Sequence, residues 1–596
     1  MLARALVISV LVACSRKPPP PPPPATGDGG QPLPPVVIAD GAPPTPYRTD
    51  PNKNFVDASV TGKGKTFMVT SEAAAATKVG QEILAGGGNA VDAAVGVAFA
   101  LAVVHPSAGN LGGGGFAVVR TGPKQAVAID FRETAPAAAT ETMYLDKKTG
   151  KPTDASLVGH LAAGTPGSVA GLWALHQKHG KKPWKDVVTP AVKLARDGFA
   201  IDAVLAKSIE ARADLLAKYP GSLAIWLPNR VAHAAGATVK IPELATTLQR
   251  IADKGADGFY KGETAAAIVA EMKRGGGIMT AKDLADYKPV WRDPLRFEYR
   301  GHSIVSMPPP SSGGIVLAMT AGMLKDTDLA KLAWHGTDHV HRLAEVWKRA
   351  FAARNELLGD PAYVKEMPVQ KLLSPEYLAK LAKSITERAT PSKDVASLLE
   401  GDHTTHLSVV DKTGMAVAMT TTLNTSFGSG VTVAGAGFLL NNEMDDFTAK
   451  PGSPNTFGLV QGVANKIEPG KRMLSSMSPT IVEDAKGELR IVAGAGGGPR
   501  IITAVWQTIS NIIDYNLAVD AAVANPRVHH QHLPDKIRIE AEAIDELAAT
   551  ALTERGHDVD WSFSPREFGA ITAIARTKDG WEGTSDRRGG GAAMGD

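Results

Sequence analysis

The sequence predicts a mixed α and β chain, an α/β (α+β) fold built as a four-layer α-β-β-α sandwich with two sheets face to face and helices outside. Three observations lead there. Strand-like alternating runs occur towards both ends of the chain, helical periodicities lie around and between them, and the apolar stretch Ala90 to Val104 has the character of a helix buried on most sides. At 596 residues the chain exceeds what one hydrophobic core usually organises. Length alone therefore suggests roughly two to four units, although strands drawn from both ends of the chain argue for a shared core.

Taken in order, Met1 to Ala13 carries one early charge, Arg4, and an apolar run from Ala5 that is too short to span a bilayer. It reads as a signal peptide over 1–13. The run ends in Leu11-Val12-Ala13-Cys14, and Cys14 is the sole cysteine, which excludes an internal disulfide and a zinc site built on several cysteines. Residues 14–53 read as a tether. Its seven prolines, Pro18 to Pro24, form a stiff spacer, roughly 20 Å long at about 3.1 Å per residue. Glu72 to Ala85 is helical and stops at Gly86-Gly87-Gly88, after which Asn89 caps the helix Ala90 to Val104. Phe116 to Arg120 and Ala126 to Phe131 alternate as strands. Pro190 to Arg196 is expected as a helix with Thr189 as its cap and Pro190 at its first position. Further helices are expected over Ile241 to Lys254, Thr264 to Arg274 and Val340 to Leu358. From Thr404 strands dominate: a hairpin over 404–424 turning at Lys412-Thr413-Gly414, then Gly437 to Asn442, then Leu489 to Ala493 running into Gly494. Ile501 to Tyr515 returns to helical spacing. Lys and Arg total 64 against 61 Asp and Glu, a balance that offers no basic field for nucleic acid or an anionic membrane.

The chemistry concentrates at His403-Thr404. A threonine inside a chain is a poor nucleophile, because its hydroxyl has no base of its own and its nitrogen is an amide. Released as an N-terminus, Thr404 carries an α-amine with a pKa of about 7.7–8.0, partly neutral near pH 7. That amine can take the proton from the hydroxyl of the same residue. Cleavage between His403 and Thr404 therefore supplies nucleophile and base together, dividing the folded chain into 54–403 and 404–596. The cut itself follows from attack of the Thr404 hydroxyl on the His403 carbonyl, giving an ester that water hydrolyses.

The run Thr404-Thr405-His406-Leu407-Ser408-Val409-Val410-Asp411 resembles the start of the small subunit of the γ-glutamyltranspeptidases, which are N-terminal-nucleophile hydrolases. Asn441-Asn442-Glu443-Met444-Asp445-Asp446-Phe447, Leu474-Ser475-Ser476-Met477-Ser478-Pro479-Thr480 and Gly497-Gly498-Pro499-Arg500 follow in the family's order. Gly112-Gly113-Gly114-Gly115-Phe116, Asp130-Phe131-Arg132-Glu133, Gly164-Thr165-Pro166-Gly167 and Pro310-Ser311-Ser312-Gly313-Gly314 match large-subunit landmarks, so the likeness covers roughly 55–590. The resemblance implies a self-cleaving hydrolase and transferase acting on glutathione and other γ-glutamyl amides, with water or an amino acid or peptide as acceptor and no cofactor. It implies Thr404 as nucleophile, Thr422 as the hydroxyl beside it, and the backbone N–H groups of Gly497 and Gly498 as the oxyanion hole. It further implies that Arg132, Ser475 and Ser476 hold the substrate α-carboxylate and that Asn424, Glu443 and Asp446 hold its α-amine. Arg132 alone also reads as a surface-strand ion pair with Glu133 or Asp130.

Leu11-Val12-Ala13-Cys14 is similar to a bacterial lipobox, implying a lipid on Cys14 and an exported, membrane-anchored enzyme. The loop 450–457 resembles a lid with Phe457 in place of a hydrogen-bonding tyrosine, which alters closure and the balance between water and acceptor. Phe568-Gly569-Ala570-Ile571-Thr572 replaces a more polar family stretch. Two histidine groups, His529, His530 and His532 and His335, His339 and His341, lack the companions of a zinc motif, and no metal site is expected. A glutaryl or cephalosporin acylase on the same fold, or a surface lipoprotein without activity, are the alternatives. The paired carboxylates Glu443 and Asp446 oppose the first, and retention of Thr404 and the glycines opposes the second.

Overall fold

The computed structural model describes residues 59–395, 404–450, 462–562 and 564–596. The signal run, Cys14, the tether, His403 and the loop carrying Phe457 lie outside the described residues. At the centre are two seven-stranded sheets. One has the order Val60–Gly64, Gly580–Ser585, Ala570–Thr577, Leu489–Gly496, Thr480–Glu483, His302–Ser306, Leu295–Tyr299. The other runs Ala592–Gly595, Met68–Ser71, Thr405–Val410, Ala416–Thr422, Gly114–Gly122, Gln125–Asp130, Val290–Arg292. Neighbouring strands in both are antiparallel.

Alternation along the strands sorts the layers. Leu407, Val409, Val417 and Met419 join a core with the helices Ala74–Ala85, Ala90–Val104 and Trp184–Asp197. Val410, Ala416 and Ala418 point the other way and share a core with Ile481, Val492 and Ile574 of the facing sheet and with the helices Gly313–Met323, Thr337–Leu357 and Arg500–Ile513. Helix, sheet, sheet and helix thus succeed one another. The described residues all fall within a single unit, Pro46–Asp596, rather than the several that length alone suggests. The reason is that both sheets mix strands from before and after Thr404, so no cut along the chain separates two cores.

Asn89 caps Ala90–Val104 as expected. Its side chain accepts from the Asp92 N–H at 2.9 Å while Asp92 accepts from the Asn89 N–H at 2.9 Å, a reciprocal box. The N–H of Ala90 donates to Asp411 at the hairpin turn, 2.9 Å, tying the helix to the strand that starts beside Thr404. Two expectations fail. The helix containing Pro190 is Trp184–Asp197, with Pro190 inside it, and Thr189 is no cap: its hydroxyl donates to the Lys185 carbonyl at 2.6 Å. Val187, Val188, Ala191, Val192 and Ala195 bury one face of that helix, and this burial outweighs the hydrogen bond that proline removes. Gly437 to Asn442 is no ladder strand. Leu439 and Leu440 make isolated bridges to Thr432 and Gly112.

Candidate active site

Thr404 precedes the strand Thr405–Val410, whose first residue pairs with Thr421. This register sets Thr404 beside Thr422, with hydroxyl oxygens 3.4 Å apart. Thr422 is itself held: its hydroxyl accepts from the Asn424 N–H at 2.8 Å, and its carbonyl accepts from Asn110 at 2.7 Å. On the facing sheet, Leu489–Gly496 ends under Thr404. A Cβ on Gly496 would lie 1.7 Å from the Thr404 carbonyl oxygen, so only glycine permits this approach. Gly497 and Gly498 follow with φ of +132° and +55° and lead into the N-terminus of Arg500–Ile513. Successive N–H groups at a helix start are suited to an oxyanion.

Thr404 lines two cavities. One, of about 110 Å³, contains Glu72, His105, Ser208, Gly497 and Arg588. The other, of about 20 Å³, collects Arg132, Asn424, Glu443, Asp446, Ser475 and Ser476 with Gly498 and Arg354. The six residues expected around a substrate amino-acid group therefore meet in one pocket, although they come from positions 132 to 476. Gly497 lines the first cavity and Gly498 the second.

Arg132 follows the strand Gln125–Asp130, and its carbonyl accepts from the Tyr287 hydroxyl at 2.8 Å. It is 1% exposed, so the ion pair with Glu133, 3.8 Å away, is made inside the protein and not on a surface strand. Its guanidinium also donates to Glu443 and Asp446, which a short 3-10 turn, Glu443–Asp446, presents side by side. Burial raises the Glu443 and Asp446 carboxyls above the usual range, with Arg132 pulling the other way. Burial likewise pushes Glu133 up to about 7 against the pull of Arg132. Three carboxyls raised by burial surround the Arg132 guanidinium, with Arg354 in the same pocket, and an incoming ammonium would draw them towards their charged form. Asn424 donates to the Asn442 carbonyl at 3.0 Å, fixing the segment ahead of Glu443. Ser475 accepts from the Met477 N–H at 3.1 Å, and Ser476 accepts from Arg354 at 3.3 Å.

The profile of the Gamma-glutamyltranspeptidase family matches residues 76–596. The chain belongs to this family. Among γ-glutamyltranspeptidase relatives, the glutathione hydrolase proenzyme of Escherichia coli (strain K12) is 47% identical over 511 residues, 85% of this chain and 87% of that protein. The glutathione hydrolase proenzyme of Pseudomonas aeruginosa is 46% identical over 528 residues, covering 87% and 92%. Among solved structures, the γ-glutamyltranspeptidase of Helicobacter pylori aligns over 54% of this chain and 92% of its own with 41% identity and a TM-score of 0.53. A cephalosporin acylase from Bacillus halodurans aligns over 94% and 99% with 26% identity and a TM-score of 0.78, so the fold extends to acylases.

Three pocket residues of this γ-glutamyltranspeptidase family member escape sequence reasoning. Arg354 sits on Thr337–Leu357 after Ala350-Phe351-Ala352-Ala353, in a helix that also buries Glu345, Lys348 and Arg349, so its charge alone does not single it out. Glu72 precedes the helix Ala74–Ala85 instead of opening it, and His105 is the C-cap of Ala90–Val104. Neither carries a local signal. The histidine groups are engaged otherwise: His529 with Thr503 at 2.6 Å, His532 with the Ser392 carbonyl at 3.0 Å, His341 with His557 at 2.8 Å and His335 with the Ala543 carbonyl at 2.8 Å. Among the described residues no three His, Cys, Asp or Glu side chains gather as a metal site.

Proposed function

We propose that this chain is a γ-glutamyl hydrolase and transferase that cuts itself between His403 and Thr404 and then moves γ-glutamyl groups from glutathione and related amides to water, amino acids or peptides. The observation that carries the reading is the meeting of Thr404 with a buried amino-acid pocket on one side and the Gly497-Gly498 turn beneath it. In the reaction, the Thr404 hydroxyl adds to the γ-carbonyl while its α-amine takes the proton. The oxyanion is received by the N–H groups of Gly497 and Gly498. Collapse expels the amine with that proton and leaves a γ-glutamyl ester on Thr404, which water or a second amine resolves. Arg132 with Ser475 and Ser476 takes the α-carboxylate, and Glu443, Asp446 and Asn424 take the α-ammonium. Thr422 steadies the nucleophile. Residues 54–403 and 404–596 become the two subunits, and residues 1–13 and Cys14 export and anchor the enzyme. The relatives' description as glutathione hydrolase proenzymes supports both the activity and the maturation.

Intact mass and N-terminal sequencing beside a Thr404→Ala variant test this. Wild type yields a fragment beginning at Thr404 and releases p-nitroaniline from γ-glutamyl p-nitroanilide. The variant stays uncut and loses at least about a thousandfold in rate. An uncut wild type, or equal turnover of glutaryl p-nitroanilide, which lacks the ammonium, would sink the reading.

A further inference from the structure

The larger cavity that Thr404 lines, distinct from the amino-acid pocket, contains an acid and an imidazole that the steps above leave unused. We propose that Glu72, with His105 beside it, receives the amino group of the acceptor, the primary amine of an amino acid or short peptide, and that this cavity is where the acceptor lies before it attacks the ester. The assignment rests on the γ-glutamyl reading and adds to it the residue that recognises the second substrate.

Position comes first. Thr404 lines both cavities, so with the acyl group held among Arg132, Glu443 and Asp446 the larger one is left to take an attacking amine. Its volume of about 110 Å³ accommodates several heavy atoms, whereas the amino-acid pocket, at about 20 Å³, is nearly filled by its own side chains.

Glu72 is also held in place. One carboxyl oxygen, Oε1, accepts from the His406 N–H at 3.1 Å. Gly496 and Gly589 leave the room it occupies, since a Cβ on either would lie 3.3 Å from Oε1 and 3.0 Å from Oε2 respectively. The Cβ position on Gly496 is the same point that nearly touches the Thr404 carbonyl, so the carboxyl and the nucleophile share one side of that glycine.

Charge decides what fits. Among the described residues no lysine or arginine nitrogen comes within ion-pair distance of Glu72. Arg588 lines the cavity, but its guanidinium is committed to Glu540 and Asp586. His105 Nε2 lies 3.9 Å from Glu72 Oε2, and burial pushes that imidazole down to about 4, so it stays neutral and supplies no counter-charge. Burial, with Asp586 adding to it, pushes Glu72 up to about 8, against the hydrogen bonds from His406 and Thr405. An ammonium entering the cavity provides the missing positive partner and draws the carboxyl back to its charged form. That carboxylate then takes one proton from the ammonium, leaving a neutral amine whose lone pair attacks the ester while the Thr404 oxygen leaves as the hydroxyl.

The test measures transfer against hydrolysis from the same acyl-enzyme, using γ-glutamyl p-nitroanilide with rising glycylglycine, so that any loss common to both divides out. Glu72→Gln lowers the transfer-to-hydrolysis ratio at least about fivefold through the acceptor KM, Glu72→Asp lowers it less, and His105→Asn falls between Glu72→Gln and wild type. A Glu72→Gln ratio within about twofold of wild type, with hydrolysis running, overturns the assignment. The wild-type enzyme gives a check that needs no variant: N-acetylglycylglycine, which has no ammonium, should fail to compete with glycylglycine, and competition at equal affinity overturns the assignment as well. A wild type that releases no p-nitroaniline at all refutes instead the γ-glutamyl reading underneath.

Discussion

At the scale of single residues, the site depends on which groups are held and which are spare. Arg132 has a fork geometry that matches a carboxylate, yet without substrate it is gripped by Glu443 and Asp446. A substrate that brings an ammonium for the two acids and a carboxylate for the guanidinium replaces these internal pairings with external ones. Lysine in place of Arg132 keeps the charge and loses the planar fork. Arg132→Lys is therefore expected to raise the KM for γ-glutamyl p-nitroanilide by about tenfold or more while the fragment starting at Thr404 still forms, measured by steady-state kinetics beside N-terminal sequencing. The identities of Thr404, Arg132, Glu443 and Asp446 were legible in the sequence, because each stands in a motif. Glu72 was not. Nothing in Thr70-Ser71-Glu72-Ala73 distinguishes a carboxyl turned into a cavity from one on a solvated helix start, and only the close packing of Gly496 and Gly589 decides it.

Among secondary elements, local chemistry was most readable where it closes on itself. Asn89 reads as a cap, and the helix it predicts forms over Ala90–Val104, with Asp92 three residues on completing the box. Asn89→Ala removes the cap and the donation to the His179 carbonyl at 2.6 Å, so it should cost about 1–2 kcal/mol and lower the Tm in a thermal melt. An unchanged Tm would mean that packing alone holds the helix. Where packing came from far away, local signals misled. Pro190 looked like a helix start, but the apolar face around it is buried against the helix Pro242–Lys254, and the helix continues through the proline. Gly437 to Asn442 alternates like a strand, yet finds only isolated partners in Thr432 and Gly112.

For the whole molecule, the proposed cut before Thr404 falls between segments that share both sheets. Thr405–Val410 pairs with Met68–Ser71, and Ala416–Thr422 with Gly114–Gly122, so strands on the two sides of the cut are hydrogen-bonded neighbours. The two fragments are accordingly expected to co-elute in size-exclusion chromatography and to separate only on a denaturing gel. Fragments that part under native conditions would contradict this. Stability should also vary with pH through Glu72. Its carboxyl is raised from 4.5 to about 8 by burial, so between those values the folded chain keeps a proton that the unfolded chain has released. Stability from this group is thus complete below about pH 4.5 and is lost as pH rises to about 8. Glu72→Gln has no such loss. Its Tm should gain on wild type between about pH 5 and pH 9 by about 2–4 °C or more, and parallel curves would count against the shift.

The sequence by itself determined the chemistry on offer and the layers that carry it. The threonine, the paired acids and the glycine turn appear in a fixed order, and a period of two against 3.6 separates strands from helices. Those signals are local, since the side chains that make a motif or a helix face lie within a few residues of one another. Only the tertiary structure decided which distant groups meet: Arg132 with Glu443 and Asp446, Arg354 with Ser476, and Glu72 with the cavity beside Thr404. Periodicity states which face of an element is buried and not which element covers it. That choice is made by strand register and by backbone approaches such as Gly496 on Thr404, energies that exist only once residues far apart in sequence are in contact.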